Sequence, residues 1–572
     1  MKAANLVLQN GNIYSIDKDG CETKYNAMAI SGGTIVSLGD TDSMTQLIDR
    51  NTEIIDLKGR SVLPGLADSH LHVSMTAEMV LDFDLRSVVF GTLSSRQEYI
   101  AAYQKLIREY AKAHPEAAII RGTGWNPIIF EAYPQGQPEA SDIDEVCADI
   151  PVILRSFDHH ALWVNSKAIE LAGITDKTPD PRNGVVERDD DGTPSGIFRE
   201  TTAMDLLLRN LPGADYTVEE YKEGIRCYQR EFGNKYGTTL VFDAYCSDNA
   251  IKAYRQMEAD GELTMRVRTA YYADPSLPES QFDDILSKKE SCDPDGDFAI
   301  KTVKFFMDGS GLTFYLNDPF EAEWLSAIGI PEGYRGYPQW ELEEIKRIFL
   351  RLDSAGYQIH IHCMGDGALK MSLDAFEYVA GFNDIRKNRH TIAHVMLAND
   401  ADIKRMADMG IIAAVQPMWP VADSLSNKSG LAMMGHRTYE VYPFGSLKKA
   451  GVKLTCGTDF PVTIPPDPFI GMMTGMLRTV SPAHPEYELY KGQSLGEEKE
   501  KLQLRDLIEG YSIASAYQCW LEDVTGSLEV GKSADFIILD ADIDAVEAAR
   551  IADIKVQQTY FKGRKVYETC DL

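Results

Sequence analysis

VLPGLADSHLHV, residues 62–73, runs from an apolar β-rich segment into two histidines that are separated by one leucine. Residues two apart on a strand point to the same side, so His70 and His72 could present their imidazoles together and bind one cation. The pair by itself is more simply interpreted as two partly buried histidines that are satisfied by hydrogen bonds. Residues elsewhere in the chain are needed to distinguish a metal site from an ordinary strand end.

Apolar β-rich runs recur after this stretch with helical patterns between them, which is typical of parallel strands joined by helices. Together with the first run, the predicted strands are 62–66, 239–242, 265–271, 300–306, 358–361, 391–394, 411–415 and 453–456. Eight is the strand number of a (β/α)8 barrel, so we predict an α/β fold of the TIM-barrel type. A Rossmann sheet is the alternative, but no GxGxxG motif follows an early strand.

Both ends of the chain show short alternating runs broken by Asn-Gly and Gly-Gly, the pattern of β-hairpins. We therefore predict one small β-sandwich domain built from residues 1–60 and 524–572, which encloses a barrel domain at 61–523. Two β-rich runs, AAIIRGTGW (117–125) and IPVILRSF (150–157), are left over between the first two barrel strands. They predict a β-containing insertion at about residues 75–235.

The net charge of the chain and the pattern of its cysteines indicate which kinds of partner and which cellular compartment to expect. The formal net charge of −30 argues against a nucleic acid or an anionic membrane, since lysine and arginine drive binding to phosphates. The nine cysteines are scattered without a CxxC pair and are expected to be reduced thiols. Because the sequence shows neither a signal-peptide pattern nor an apolar stretch of ~20 residues, we predict a cytoplasmic protein.

Polar residues stand at the carboxyl ends of several predicted strands, where the active site of a (β/α)8 barrel lies. They are Asp68, His70 and His72 at strand 1, Lys304 and Asp308 at strand 4, His360 and His362 at strand 5, His390 and His394 at strand 6, and Asp459 at strand 8. Imidazoles with a carboxylate suit Zn²⁺, Mn²⁺, Fe²⁺ or Ni²⁺ better than Ca²⁺ or Mg²⁺. The set as a whole predicts a metal site.

The chain resembles the metal-dependent amidohydrolase superfamily, and within it the family 3 branch that includes N-substituted formamide deformylases. The matching motifs follow in the family's order over nearly the full length: LPGLADSHLH (63–72), GWNP (124–127), DHHALWVNSKAIELAGI (158–174), GTPSGIFRE (192–200), VKFFMDGS (303–310), IHIHCMGDGA (359–368), RHTIAH (389–394), QPMW (416–419), GTDFPV (457–462) and GSLEVGKSADFIILD (526–540). Such a combination is far more specific than any one motif.

The resemblance implies a ligand set for the metal, namely His70, His72, His362, His394 and Asp459. In this superfamily a lysine on strand 4 is often carboxylated and bridges two ions, and Lys304 occupies that position. The alternative for Lys304 is an ordinary lysine in an ion pair. Glu200 is then a competing candidate for the residue that bridges the ions. The cofactor is therefore expected to be Zn²⁺, as one ion or two, with Mn²⁺, Fe²⁺ and Ni²⁺ as alternatives.

The resemblance also implies hydrolysis of a C–N bond in a small-molecule amide, N-acyl or N-formyl substrate, and a homodimer. Asp459 would orient the attacking water, take its proton and pass it to the leaving amine. One alternative is a deaminase or cyclic-imide hydrolase on the same barrel. An alternative of another class is a catalytically inactive amidohydrolase-like scaffold.

Five further residues are candidates for substrate binding or for support of the ligands: His160, Glu200, Trp125, His390 and Arg478. His160 matches the histidine of a DGH pattern in the family, but His159 replaces the glycine of that pattern. A structural histidine, a core aromatic side chain and an arginine bound to a helix neighbour are the competing interpretations of His160, Trp125 and Arg478.

Overall fold

Eight parallel strands form the central sheet of the computed structural model, which describes residues 3–569 apart from 90, 132, 134–135, 158, 289–295 and 310. In sheet order they are barrel strand 1 (Leu66–Leu71), 2 (Thr238–Asp243), 3 (Arg266–Tyr272), 4 (Phe298–Phe306), 5 (Gln358–Cys363), 6 (Thr391–His394), 7 (Ile412–Val415) and 8 (Leu454–Cys456). Beyond strand 8, the amide of Asp459 donates to the carbonyl of His70 at 2.8 Å. This contact joins the last strand to the first, so the predicted TIM-type barrel is confirmed.

Helices follow the barrel strands and cover the outside of the sheet. Their bounds are Thr76–Leu81 and Val218–Tyr228 after strand 1, Asp248–Ala259 after strand 2, Gln281–Ser287 after strand 3, Ala322–Ala327 and Leu342–Ser354 after strand 4, Asp366–Ala380 after strand 5, Asp400–Met409 after strand 6, Leu431–Met434 and Phe444–Ala450 after strand 7, and Pro468–Leu477, Tyr487–Tyr490, Leu504–Gly510 and Ile513–Gln518 after strand 8. Because helices cover one face and the barrel interior the other, the strands are buried almost throughout.

The first predicted strand, 62–66, is wrong as a barrel strand. Ser61–Pro64 pairs with Asn12–Ile16 and with Phe536–Leu539, and so belongs to a sheet built from both chain ends. The barrel begins one residue after Gly65, at Leu66–Leu71. The shift places His70 within barrel strand 1, while His72 follows its end.

Two sheets made from the chain ends pack into a sandwich beside the barrel. One has the order Thr34–Gly39, Ala27–Ser31, Leu6–Gln9, Glu53–Asp56, and the other Arg564–Glu568, Val556–Phe561, Phe536–Leu539, Ser61–Pro64, Asn12–Ile16, Glu22–Tyr25. Their shared core includes Leu8 and Met28 from the first sheet with Ile13, Phe536 and Tyr560 from the second. The domain expected from the hairpin patterns thus has a core of its own.

The segment between barrel strands 1 and 2 carries a separate mixed sheet. Its strands, in sheet order, are Val185–Arg188, Pro194–Arg199, Ala161–Val164, Val152–Ser156, Ile120–Trp125 and Phe83–Asp84. The helices Arg96–Ala113, Ile128–Glu131, Ala140–Asp144, Ser166–Leu171 and Glu200–Asn210 accompany it. Both leftover β-rich runs of the sequence lie in this sheet, which we call the insertion sheet.

Seven cysteines lie among the described residues and none of these forms a disulfide, while Cys292 and Cys570 lie outside the described residues. In the part of the chain that the structure describes, no helix combines the length and the apolar character that crossing a membrane requires.

Candidate metal centre

Three side chains from opposite ends of the chain converge at the carboxyl end of the barrel. His70, His394 and Asp459 are buried, and each offers a ligand atom within 4.8 Å of the other two. Asp459 Oδ1 lies 3.4 Å from His70 Nε2 and 3.3 Å from His72 Nε2. The ring of His362 lies 4.7 Å from that of His394, measured between centroids. The structure therefore brings together the two histidines of the opening stretch, the histidines of strands 5 and 6, and the carboxylate after strand 8.

Backbone contacts between barrel strands 1 and 8 fix this convergence. The amide of His72 donates to the carbonyl of Phe460 at 2.7 Å, next to the bond from Asp459 to His70. Asp68 accepts from the amide and the hydroxyl of Thr458, the latter at 2.5 Å. The approach is so close that a Cβ on residue 457 would lie 2.7 Å from the His70 nitrogen, so Gly457 is required there.

Three neighbours orient the rings of the candidate ligands. His394 Nδ1 lies 2.9 Å from Gln416 Oε1, and His70 Nδ1 lies 2.7 Å from His360 Nε2. His362 Nδ1 lies 3.3 Å from Asp308 Oδ1, and Asp308 in turn accepts from the amides of Met364 and Gly365. The Nδ1 atoms of His70 and His394 are engaged in this way, so their Nε2 atoms are left for a metal, the arrangement in which ligating histidines are usually held, whereas His362 Nδ1 makes no hydrogen bond.

The charge states of the site are those that bind metal. Burial, together with the nearby charge of Lys304, lowers the pKa of His362 to about 3. Burial and the neighbouring His362 likewise lower the pKa of His394 to about 3. Burial disfavours ionisation of Asp459, but His70 and His72 hold the pKa of its carboxyl well below the usual range. At neutral pH His362 and His394 are thus neutral imidazoles and Asp459 is an ionised carboxylate, the forms that ligate a metal.

Lys304 lies in the same cluster with its side chain fully buried. Its Nζ has no hydrogen-bond partner and lies 4.8 Å from the ring centre of Phe306. Burial lowers the pKa of Lys304 to about 7 in spite of the nearby Asp459 carboxylate. A buried ammonium without a partner is costly, so this atom calls for a further group.

Unsatisfied polar atoms supply the test of whether the cluster fits a metal. Among the buried side-chain atoms without a hydrogen-bond partner are His72 Nδ1, Lys304 Nζ, His362 Nδ1 and Asp459 Oδ1. Native proteins rarely leave so many buried polar atoms unpaired within one site, and each unpaired atom needs an explanation. A cation would take the unpaired Asp459 Oδ1 as a ligand together with the Nε2 atoms of His70 and His72, which lie 3.4 and 3.3 Å from that oxygen, so the residues present fit the expected metal.

The insertion sheet adds two candidate residues to the rim of the site. His160 Nδ1 lies 3.0 Å from Glu200 Oε2, and the amide of Glu200 donates to the carbonyl of His160 at 2.9 Å. A Cβ on Gly309, in the loop after barrel strand 4, would lie 3.6 Å from Glu200 Oε2. His160 also contributes to the lowered pKa of His362. Both residues are thus close to the ligands of strands 4 and 5.

His159, which stands where the family pattern has glycine, keeps the backbone that glycine would favour. Its φ is 61°, in the left-handed region. Its Nδ1 lies 3.5 Å from Oε1 of Glu78, a buried carboxylate on the helix after barrel strand 1. The replacement therefore preserves the turn that presents His160.

Three candidates have their polar groups engaged outside the cluster, and their roles in substrate binding or support of the ligands stay predictions. Trp125 is fully buried inside the insertion sheet, where Nε1 donates to the carbonyl of Leu154 at 2.9 Å. His390 points to the helical layer, where Nε2 lies 3.0 Å from Asp353 and the ring stacks on Phe376. Arg478 donates to the carbonyls of Leu495, Tyr442 and Val441. Apolar neighbours in the sequence indicate that a side chain is buried. They do not indicate whether it points into the barrel or into another part of the core.

Two residues contact His394 in a way that was not predicted from the sequence. Gln416, just after barrel strand 7, holds its Nδ1. Trp419 stacks on the ring at 5.3 Å between centroids, and its Nε1 donates to Thr463 at 2.8 Å. The QPMW motif contains both residues, so the signal was present, but nothing in it indicated contact with His394.

An eight-stranded barrel with imidazoles and a carboxylate gathered at its carboxyl end defines the class of metal-dependent barrel hydrolases. Residues 53–567 match the model described as "Amidohydrolase family", and the chain belongs to this family, in its family 3 branch. The expected resemblance is thereby confirmed.

Relatives and a solved structure match over nearly the whole chain. "Protein LONG AFTER FAR-RED 3" of Arabidopsis thaliana is 28% identical over 99% of this chain and 92% of its own length. "N-substituted formamide deformylase" of Arthrobacter pascens is 24% identical over 99% of this chain and 98% of its own. The crystal structure of an uncharacterized metal-dependent hydrolase from Pyrococcus horikoshii OT3 aligns with a TM-score of 0.70 and 26% identity, covering 95% of this chain and 99% of that chain.

Proposed function

We propose that this protein hydrolyses a C–N bond in a small-molecule amide, N-acyl or N-formyl substrate at a metal centre held by His70, His72, His362, His394 and Asp459. The observation that carries the proposal is the convergence of His70, His394 and Asp459 within 4.8 Å. The similarity to an N-substituted formamide deformylase supports an N-formyl compound as the first substrate class to test.

The metal is proposed to be Zn²⁺, as one ion or two, with Mn²⁺, Fe²⁺ or Ni²⁺ as alternatives. Lys304 is proposed to be carboxylated: its neutral amine, which is available because burial lowers the pKa of Lys304 to about 7, would add CO2 and release a proton, and the resulting carbamate would help to hold the metal. Glu200 is the competing bridge, but its Oε2 is already engaged by His160. A bound divalent ion supplies Lewis acidity, which polarises a carbonyl and makes water a nucleophile at neutral pH.

Asp459 is proposed to act as general base and then as general acid. Its carboxylate is ionised, because the pKa is held well below the usual range, and it lies within 3.4 Å of two imidazoles. It can therefore accept a proton from the attacking water and pass it to the leaving nitrogen. His160 and Glu200 are proposed to contact the substrate from the insertion side, because both are partly exposed beside His362.

Asp459→Asn is the direct test, with turnover of a panel of N-formyl, N-acyl and cyclic amides as the readout. We expect Asp459→Asn to lose turnover by at least about 100-fold, which is the usual contribution of a general acid–base, while metal stays bound. Asp190→Asn, an exposed charge on the insertion, is the matched control and should retain full activity. Near-normal turnover of Asp459→Asn with bound metal would refute the assigned role.

Product and metal analyses separate the alternatives. Release of ammonia without a new carboxylate would indicate a deaminase, and ring opening of a cyclic imide would indicate a cyclic-imide hydrolase. A purified protein that contains no metal and gains no activity with Zn²⁺ or Mn²⁺ would indicate an inactive scaffold. The unsatisfied polar atoms of the cluster favour the metal-loaded enzyme over that scaffold.

A further inference from the structure

The insertion between barrel strands 1 and 2 folds around its own apolar residues. Two hydrophobic clusters fill it, and all their members lie between residues 83 and 214. Among the described residues, the large cluster of the barrel has no buried member between Ala77 and Tyr221. Residues 83–214, which we call the insertion domain, therefore have a core that is separate from that of the barrel.

The chain enters and leaves the insertion domain at one place. The domain follows the helix Thr76–Leu81 and precedes the helix Val218–Tyr228, and these helices pack so closely that a Cβ on Gly224 would lie 2.4 Å from the Ala77 nitrogen. Next to them, the hydroxyl of Tyr216 donates to Asp82 Oδ1 at 2.7 Å. Both residues lie at the ends of helices, where hinges usually lie, so the two connecting segments can act as one hinge.

A series of ion pairs and hydrogen bonds connects the insertion domain to the barrel. Their barrel partners follow strands 1, 3 and 4, so the domain extends over the carboxyl end of the barrel from strand 1 to strand 4. The contacts join Arg155 to Glu78, Arg209 to Asp274, Arg182 to Glu344, and Asn183 to the carbonyl of Gln339. Domains of one chain that meet through polar contacts usually move relative to each other, whereas a large apolar interface would prevent this.

Arg182 and Asn183 bind the segment after barrel strand 4, and we call their contacts the latch. Arg182 Nη1 donates to Glu344 Oε2 at 2.8 Å, and its guanidinium lies 5.9 Å from the ring centre of the buried Trp340. Asn183 Nδ2 donates to the carbonyl of Gln339 at 3.0 Å. The side chains of Arg182 and Glu344 are 30% and 27% exposed, so water and salt reach this ion pair.

The insertion domain presents His160 and Glu200 at the rim of the metal centre. These two side chains contact each other, with His160 Nδ1 3.0 Å from Glu200 Oε2. The same oxygen would lie 3.6 Å from a Cβ on Gly309, in the loop after barrel strand 4. A movement of the domain away from strand 4 would therefore withdraw both side chains and uncover this side of the metal centre.

We propose that the insertion domain is a lid, which turns about the segments at Asp82 and Tyr216 and is held closed over the candidate metal centre by the latch of Arg182 and Asn183. The structure shows the closed arrangement, in which the latch is formed. Opening replaces a few polar contacts by contacts with water, while the separate core of the lid stays folded. Ions and substrate then enter the site while the lid is open. The inference goes beyond the proposed function, because it concerns access to the centre and holds for any reaction there.

Electron–electron double resonance between two spin labels on the full chain tests the motion itself. The labels are attached to Asp190→Cys, on the insertion domain, and Lys387→Cys, on the barrel, because both residues are exposed. Serine replaces the native residues Cys21, Cys227, Cys292 and Cys570, so that only the two introduced thiols are labelled. We expect two distance populations, and the longer one should grow at least about threefold in Arg182→Gln. Salt at 1 M should have the same effect, since it screens charges beyond about 3 Å.

The rates at which the metal-free chain takes up Zn²⁺ and the loaded chain releases it to a chromophoric chelator test the consequence. A lid that controls entry and exit alike changes both rates by one factor and leaves their ratio, the affinity, unaltered. We expect both rates to rise about 5-fold in Arg182→Gln, as loss of one partly exposed ion pair allows, and less in Arg182→Lys. Arg550→Gln is the matched control, because it removes an ion pair with Asp553, at 3.1 Å, that lies outside the interface, and it should leave both rates unaltered.

Several results would overturn the lid. A single distance population that is the same in Arg182→Gln and in the unaltered protein would show that the domain does not move. Uptake and release rates that stay the same, or that rise equally in Arg550→Gln, would show that the latch does not control access. A rise in the release rate alone would indicate a weakened metal site and would likewise refute the lid. If the chain bound no metal, the distance measurement would still decide the lid, while the proposed hydrolysis would be refuted.

Discussion

Gly457→Ala is expected to damage the metal centre through the backbone, without altering any candidate ligand. A Cβ at this position would lie 2.7 Å from the His70 nitrogen, 2.8 Å from the His70 oxygen and 2.9 Å from Asp68 Oδ1. A methyl group needs about 3.5 Å from such atoms, so barrel strands 1 and 8 would have to separate by roughly 0.7 Å. The bond from the Asp459 amide to the His70 carbonyl, now 2.8 Å, would lengthen to about 3.5 Å and be lost.

The displacement matters because a metal site tolerates changes in ligand position of only about 0.2 Å. We expect metal affinity to fall at least about 10-fold, as for loss of other groups that hold ligands in place, and stability to fall by about 1–3 kcal/mol. Competition with a chromophoric chelator measures the affinity, and urea unfolding measures the stability.

Gly451→Ala is the control, since Gly451 has a φ of +88° at a helix end with nothing within 4 Å of its Cβ position. It should cost about 1 kcal/mol of backbone strain without loss of metal. If a folded Gly457→Ala protein bound metal with unaltered affinity, the contact between strands 1 and 8 would not set the ligand geometry.

Two further predictions concern the pH dependence of the free energy of unfolding and the role of Lys304 in metal binding. The pKa values of His362 and His394 are about 3 in the fold and ~6.5 when unfolded, so below pH 6.5 the unfolded chain binds protons that the native protein does not. The free energy of unfolding of the metal-free protein should therefore fall from pH 7.5 to 5.5, by up to about 1.4 kcal/mol per pH unit for each histidine. Urea unfolding at both pH values checks this, and an equally steep fall in His394→Asn would contradict it. Lys304→Ala should lower the number of bound ions and the activity, with partial recovery on addition of acetate or propionate if a carbamate is missing. An unchanged metal content by mass spectrometry would show that Lys304 is not a ligand.

The barrel could be predicted because each of its strands is a short, buried, apolar run between helical patterns. The bounds of the first barrel strand could not be predicted in this way. Residues 61–64 and 66–71 are both fully buried, and only pairing with the distant strand Phe536–Leu539 assigns the former to the sandwich. Local pattern contains no information about such a partner, so a strand next to a domain boundary is assigned by long-range contacts.

The convergence of the candidate ligands could be predicted, because imidazole and carboxylate side chains at the carboxyl ends of barrel strands all lie at the same end of the barrel. Their supports could not be predicted with the same success. His390 and His394 lie on the same short stretch, yet one bonds to Asp353 in the helical layer and the other reaches the cluster. Alternation alone assigns both to one face, but His394 has a φ of 71°, which ends the regular strand and reorients the chain there.

The arrangement separates the chemistry from the recognition of the substrate. The candidate ligands sit on barrel strands whose ends are tied by backbone hydrogen bonds, so a change of side chain elsewhere leaves them in position. His160 and Glu200 instead lie next to the insertion sheet strand Ala161–Val164 and at the start of the helix Glu200–Asn210, and they reach the rim of the site from outside the barrel. If the proposed function holds, substitution in the insertion is expected to alter substrate binding without moving the candidate ligands. Because loops and insertions on a rigid barrel are where specificity is built, His160 and Glu200 are the positions at which we expect substrate preference to be most easily changed.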